Sequence, residues 1–439
     1  MNETPTHSTG TRGSTAFFTD MYELTMLDAA LKDGTAQREC IFEVFGRRLP
    51  NERRYGVVAG TERVLDAITK FRFTQDQLDS ADFLSPQARE YLANYKFSGQ
   101  IDGYREGDLY FPHSPIMTVR GTFAECVILE TVILSILNSD SAVASAASRM
   151  VSAADGRPII EMGSRRTNEQ NAVSAARATY IAGFNATSNM EASLRYGIPA
   201  SGTSAHSWTL LHVDEDGRPD EKAAFQGQID SLGVDTTLLV DTFDITKGVE
   251  NALAVAGTEL GGVRIDSGDL GIVSRRVRKQ LDEAGAFNTR IIVSSDLDEF
   301  AIAGLRGDPV DGFGVGTSVV TGSGAPTAGL VYKLVEVDGH PVAKRSSGKV
   351  TYGGGKSALR AYRSSGVAVA EVIHPLEIDV PRKPNLEYRE MTTPLIRDGE
   401  IVDNQPSIED TRALHAAALA PGLSPAGPLP LRRRGAHTG

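Results

Sequence analysis

Three stretches in the second half of the chain each run from an apolar strand into a turn rich in Gly, Asp or Ser: Gly261–Gly271, Ile291–Glu299 and Asp311–Thr321. Val263 to Ile291 is 28 residues and Ile291 to Gly312 is 21, each enough for a strand, a loop and a helix. That is the βα period. In barrels built from such units, the late loops at the C-terminal ends of the strands hold phosphate through backbone N–H groups and a helix N-terminus. The three turns therefore point to one anion site, with glycines that let the backbone approach a ligand closely.

Around this core the texture changes along the chain. Apolar residues at helical spacing (Phe18, Met21, Tyr22, Leu24, Leu27, Leu31) predict a helix over about Thr15–Lys32, capped near Thr19-Asp20. Strand patterns at Cys40–Phe45, Gln100–Tyr104, Leu109–Phe111 and Ile116–Gly121, short helices over Thr61–Phe97, and a buried helix at Phe123–Leu137 make an α/β domain over 15–138. From about Ser139, long helices alternate with short strands, so the fold class expected is α/β, with an irregular (β/α) barrel over 139–360. Asp338-Gly339 signals a hairpin. Residues 361–420 are expected to return to the first domain, and 421–439, with four prolines and Arg432-Arg433-Arg434, to form a disordered tail.

At 439 residues the chain can bury a large core, which suits an enzyme of a barrel plus additions rather than a small binding module. A net charge of −11 argues against a nucleic-acid partner. Two cysteines, Cys40 and Cys126, exclude a Cys-rich zinc site and make a disulfide framework implausible. Met1–Ser14 lacks a secretory apolar region, and the apolar run Cys126–Leu137 is broken by Glu130 and too short for a bilayer. The expectation is a cytoplasmic protein without membrane contact.

In Gly202-Thr203-Ser204-Ala205-His206-Ser207, small residues surround one imidazole, which lets a polyanion approach a nitrogen nucleophile. On its own the hexapeptide favours a hydrogen-bonded structural histidine, so a second piece is needed. Asp241, ending the run Leu238-Leu239-Val240, stands where a barrel strand delivers a carboxylate able to orient His206. Asp244 competes for that role, and either carboxylate equally suits a cap for the helix near Ile245. Strand alternation puts Arg264 and Asp266 on one face, fit for an anion and a sugar diol, although Asp266-Ser267-Gly268-Asp269 alone reads as an ordinary turn. Ser294-Ser295-Asp296 ends the next strand, and Gly312–Thr317 is a phosphate-gripping pattern. Arg165-Arg166, after Ile159–Met162, offers a grip on carboxylate or phosphate. Tyr22 could stack on a flat ring, but helical-face tyrosines are more often core or interface.

Taken together, Thr19–Met26, Phe42–Phe45 with Arg47–Pro50, Glu161–Arg166, Gly202–Ser207, Val263–Leu270 and Gly314–Thr317 closely resemble the nicotinate phosphoribosyltransferase family, over roughly Thr15 to Arg360. The resemblance implies a barrel of the type II phosphoribosyltransferase kind. It implies that nicotinate and phosphoribosyl pyrophosphate become nicotinate mononucleotide and pyrophosphate in NAD salvage, with ATP hydrolysis coupled through a transient phosphohistidine. His206 matches that histidine and Asp241 the carboxylate that supports it. Tyr22, Arg165, Thr203, Arg264 and Thr317 match positions around nicotinate. Asp266, Ser267, Gly268, Ser295, Asp296, Gly314 and Gly316 fall where the family holds ribose and phosphates. Mg²⁺ is expected on the pyrophosphate, without a dedicated metal cage, and a homodimer is expected in which Tyr22 acts in the partner's site.

Nicotinamide-using relatives place an aspartate near the amide where Ala186 aligns here, so its absence favours the acid substrate. The cysteine-rich C-terminal metal site of some family members cannot be built from Cys40 and Cys126. Two rivals stand beside this reading. An isomerase or aldolase barrel needs a Schiff-base lysine or a general base at a strand end, and no strand-end lysine stands out. A pyridine-nucleotide sensor would keep the pocket without phosphorylating His206.

Overall fold

Cross-strand pairing of aromatic and β-branched residues assembles the first part of the structure, a computed structural model that describes residues 13–50, 53–344, 351–402 and 405–419. The tail expected at 421–439 and most of Met1–Ser14 lie outside the described residues. The chain divides into two units, Met1–Ser141 with Thr327–Gly439, and Ala142–Pro326. In the first unit Glu39–Gly46 pairs antiparallel with Leu330–Val337 on one side and Met117–Thr122 on the other. Gln100–Tyr104 and Thr392–Arg397 continue this seven-stranded sheet. Phe42 stacks on Tyr332 across strands at 4.8 Å between ring centroids. Cys40 and Cys126 are buried and free.

The expected barrel limit at 360 is therefore too late. Leu330–Val337 bonds along Glu39–Gly46 and belongs to the first unit, so the second unit ends at Pro326. A full ladder of backbone hydrogen bonds, not closeness in sequence, decides where a strand goes. The hairpin at Asp338-Gly339 forms as expected, with φ of 49° and 75°. The first helix runs over Met21–Asp33, starting later than the expected Thr15, with Leu24 and Leu27 buried and Met21, Tyr22 and Met26 exposed, while Phe18 is exposed in the turn before it. The apolar run read as Phe123–Leu137 is instead a short helix, Phe123–Val127, followed by Glu130–Ala154. That stretch is long and apolar enough to cross a membrane by length and composition, but most of its apolar window is buried inside the protein.

In the second unit six strands form one sheet. In chain order they are β1 (Ile159–Glu161), β2 (Ala186–Thr187), β3 (Thr237–Leu239), β4 (Gly262–Ile265), β5 (Arg290–Val293) and β6 (Gly312–Val315). Every neighbouring pair is parallel, in the order β2-β1-β6-β5-β4-β3. Parallel neighbours need crossovers, and helices supply them, as the βα spacing predicts. Among the described residues β2 and β3 are left as edges, so the barrel is irregular and incomplete. Asn168, Asn189, Asp244, Asp269 and Asp298 each accept an N–H of a following helix's first turn.

Candidate functional site

A strand turns successive side chains to opposite faces, and here the alternation separates packing from chemistry. Leu238, Val263, Ile265, Ile291, Val293, Phe313 and Val315 are buried. The intervening positions line a cavity of about 640 Å³. Ile160, Leu239 and Ile292 give it an apolar patch level with Arg264 and Gly314, with which they pair in register, while Asp266, Ser294 and Gly316 follow just past the strand ends. Arg165, Arg166, Ser188, the segment Ser201–His206, Ser295, Asp296 and Thr317 complete the mouth. An apolar patch beside converging polar groups suits a flat aromatic ring carrying an anionic substituent.

Arg264 is held from two sides. Its Nε donates to Ser294 Oγ at 2.9 Å, and Ser294 Oγ donates to Asp266 Oδ1 at 2.8 Å. Its Nη2 lies 3.5 Å from Asp266 Oδ2. The expectation that Arg264 and Asp266 share a face holds. Both side chains remain partly open, so the guanidinium keeps capacity for an anion. Arg165 and Arg166 are exposed, and no side-chain hydrogen bond or ion pair engages them within the described residues.

The expected contact between Asp241 and His206 is absent. Asp241 Oδ2 instead accepts from the Asp266 N–H at 2.8 Å and Ser267 Oγ at 2.7 Å. Its Oδ1 is buried without a hydrogen-bond partner. Two donors in the turn after β4 capture this carboxylate, and the next residue meets the imidazole: Thr242 Oγ1 lies 3.0 Å from His206 Nδ1. Asp244 caps Ile245–Ala256 through the Lys247 N–H, which resolves the alternative left open between the two aspartates.

The glycines divide by role. A Cβ on Gly314 would stand 2.7 Å from Met162 Sδ, and one on Gly163 would stand 2.3 Å from Val320 Cγ1, so close packing excludes a side chain at both. Gly268 has φ of +83°, which glycine adopts without strain. Ser295, at the mouth, has φ of 100° in the same region without being glycine. Behind the mouth, buried Glu161 accepts from the Gly163 N–H and from Thr187 Oγ1 at 2.6 Å, tying the turn after β1 to β2. Burial raises its pKa, against the pull of those two bonds.

The cavity thus gathers His206, Arg165, Thr203, Arg264, Thr317, Asp266, Ser295, Asp296, Gly314 and Gly316. Ser267 and Gly268 do not line it, and Asp241 lies behind it, bonded to their turn. Tyr22 belongs to the first unit, on the exposed side of its helix. Ala186 pairs with Ile160 across the sheet and shares its face with the lining residue Ser188. Sequence reasoning left Thr242, Ser294 and Ser188 without a role. Counting by twos from Ile292 and Ala186 reaches Ser294 and Ser188, whereas nothing periodic marks Thr242.

Comparison with known proteins agrees with this geometry. Residues 17–138 match the nicotinate phosphoribosyltransferase N-terminal domain, and 158–357 match the nicotinate phosphoribosyltransferase family. A nicotinate phosphoribosyltransferase of Mycobacterium tuberculosis is 59% identical over 406 residues, covering 91% of this chain and 90% of its own. The human nicotinic acid phosphoribosyltransferase structure is similar with a TM-score of 0.78 at 27% identity, covering 93% of this chain and 94% of its own. A Pyrococcus furiosus structure described as nicotinate-nucleotide pyrophosphorylase gives 0.78 at 25%, covering 95% and 97%. The chain belongs to the nicotinate phosphoribosyltransferase family.

Proposed function

We propose that this family member transfers the phosphoribosyl group of phosphoribosyl pyrophosphate to nicotinate, coupled to ATP hydrolysis through a phosphohistidine at His206. The observation that carries the reading is the set of parallel strand ends that turns Arg264, Asp266 and the Gly314–Thr317 loop toward one cavity bordered by His206. On this reading the product, nicotinate mononucleotide, feeds NAD salvage, and the enzyme works in the cytoplasm.

The apolar patch of Ile160, Leu239 and Ile292 receives the pyridine ring, and Arg264, oriented by Ser294 and Asp266, attracts its carboxylate. The ring nitrogen forms the new bond to ribose C1 as the bond to pyrophosphate oxygen breaks and the electron pair leaves with pyrophosphate. The positive charge growing on ribose favours a nearby carboxylate, and Asp266 is the one at the mouth between Arg264 and Ser294. Arg165 and Arg166 offer unpaired guanidinium groups to phosphate.

Mg²⁺ fits as a companion of the pyrophosphate. Among the described residues no cluster of three or more His, Cys, Asp or Glu could cage a metal. Asp266, which lines the cavity, is the hard oxygen donor that would hold one together with substrate oxygens and water. Bound there, it would neutralise charge on the departing pyrophosphate.

An aldolase reading is disfavoured because no lysine among the described residues lines the cavity. The exposed Met21, Tyr22 and Met26 on one helix, with Phe18 in the turn before it, support a homodimer in which the partner subunit's Tyr22 completes the site. Mixed Tyr22→Ala and His206→Ala proteins should regain activity; none after verified subunit exchange overturns that arrangement.

The decisive experiment incubates purified protein with nicotinate and phosphoribosyl pyrophosphate, with and without γ-³²P-labelled ATP. Expected are nicotinate mononucleotide, stimulation by ATP and acid-labile label lost in His206→Ala. Ligand binding without product would support a sensor instead. Nicotinamide turnover comparable to that of nicotinate would overturn the role given to Ala186.

A further inference from the structure

We propose that the Thr242 hydroxyl, not a carboxylate, positions His206 for phosphoryl transfer from a nucleoside triphosphate, an inference that rests on the phosphohistidine reading above. Thr242 Oγ1 lies 3.0 Å from His206 Nδ1, and no other hydrogen bond to a His206 ring nitrogen occurs among the described residues. The two carboxylates nearest in sequence are engaged elsewhere. Asp241 Oδ2 is taken by the Asp266 N–H and Ser267 Oγ, and Asp244 Oδ1 by the Lys247 N–H.

A neutral imidazole carries one proton, and the bond made by one ring nitrogen decides which nitrogen keeps a lone pair. With Nδ1–H donating to Thr242, Nε2 is the nucleophile on a ring that lines the cavity. In the transfer the Nε2 lone pair forms the N–P bond. The bond from phosphorus to the nucleoside diphosphate oxygen breaks, and its electron pair leaves with the diphosphate. The ring gains positive charge while Nδ1 keeps its proton, so Nδ1–H becomes a stronger donor and the Thr242 bond tightens toward the transition state. A water oxygen then bonds to phosphorus as the N–P bond breaks and its electron pair returns to Nε2, releasing phosphate.

Thr242→Val removes the hydroxyl and keeps the shape, whereas Thr242→Ser keeps the hydroxyl. Acid-labile label from γ-³²P-ATP is followed in a single turnover at saturating ATP, with a thermal unfolding scan of each protein. Thr242→Val should incorporate label roughly tenfold more slowly, the worth of one hydrogen bond made in the transition state. Its apparent affinity for ATP should stay within about twofold, and Thr242→Ser should recover most of the rate. Wild-type labelling rates in Thr242→Val, or equal losses in Val and Ser, overturn the proposal. Should Thr242→Val unfold, Thr242→Ala takes its place with the same criteria. Absence of label on the wild-type protein overturns the phosphohistidine reading and this inference together, an outcome distinct from a labelled wild type with an indifferent Thr242.

Discussion

The Ser294 hydroxyl serves two charged neighbours at once, accepting from Arg264 and donating to Asp266. Removing it leaves Arg264 Nε without its acceptor and Asp266 Oδ1 without its donor, each a loss at a charged group and more costly than a neutral one. Ser294→Ala is expected to raise the KM for nicotinate by roughly tenfold with a smaller fall in kcat, measurable by steady-state kinetics with each substrate varied. An unchanged KM would separate Arg264 from carboxylate binding. Ser295 carries a different burden, its φ of 100°. Ser295→Gly should leave the thermal midpoint close to that of the wild type. Ser295→Val should lower stability by about 2 kcal/mol, because a branched Cβ is disfavoured in that region. Equal midpoints for the two variants in a calorimetric scan would show that the strain is absent in solution. Neither property is legible from the one-letter code: the residue types are ordinary and only their neighbours give them work.

Elements were easier to read than their junctions. The strands around Ile159, Val263, Ile291 and Gly312 form where apolar runs meet turn residues, because period and punctuation are local signals. The helix expected at Phe123–Leu137 splits: Phe123–Val127, begun by the Thr122–Glu125 capping box, ends at Ile128, and a second helix starts at Glu130. An apolar window alone does not register such a break. Helix-to-strand distance is also set tertiarily, as Gly248 shows: a Cβ there would stand 2.2 Å from the Val240 carbonyl oxygen. Since backbone cannot yield as a side-chain tip does, Gly248→Ala should cost about 2 kcal/mol or more and push the helix off β3. Displacement there would disturb the neighbouring Asp241–Asp244 turn. A urea midpoint within error of wild type would refute the contact.

At the scale of the whole molecule, the chain's last described helix, Ile408–Leu419, returns to the first unit. His415 docks with Nδ1 bonded to the Gly107 carbonyl oxygen at 3.0 Å. A Cβ at Gly107 would stand 2.6 Å from the Thr411 carbonyl oxygen, so the approach needs glycine. Burial is the main reason the His415 pKa falls from 6.5 to about 4. The folded form therefore resists a proton that the unfolded chain accepts. This contribution is complete above about pH 6.5 and is lost as the pH falls toward 4, on the order of 3 kcal/mol across that window. Urea midpoints at pH 7 and pH 4.5 should fall further for wild type than for His415→Gln; parallel declines would show that other groups dominate.

What the sequence determined by itself is local: the βα rhythm, the helix-capping aspartates and the turns that end the strands, since period, cap and turn chemistry act over a few residues. It also carried the family resemblance, which brought most of the cavity residues together before any coordinates. Only the tertiary structure decided that Leu330–Val337 leaves the barrel for a ladder with Glu39–Gly46. It likewise decided that Thr242 rather than Asp241 meets His206. Both are contests between groups distant in sequence for the same hydrogen bonds, and such contests are settled by which donors and acceptors the fold brings within reach.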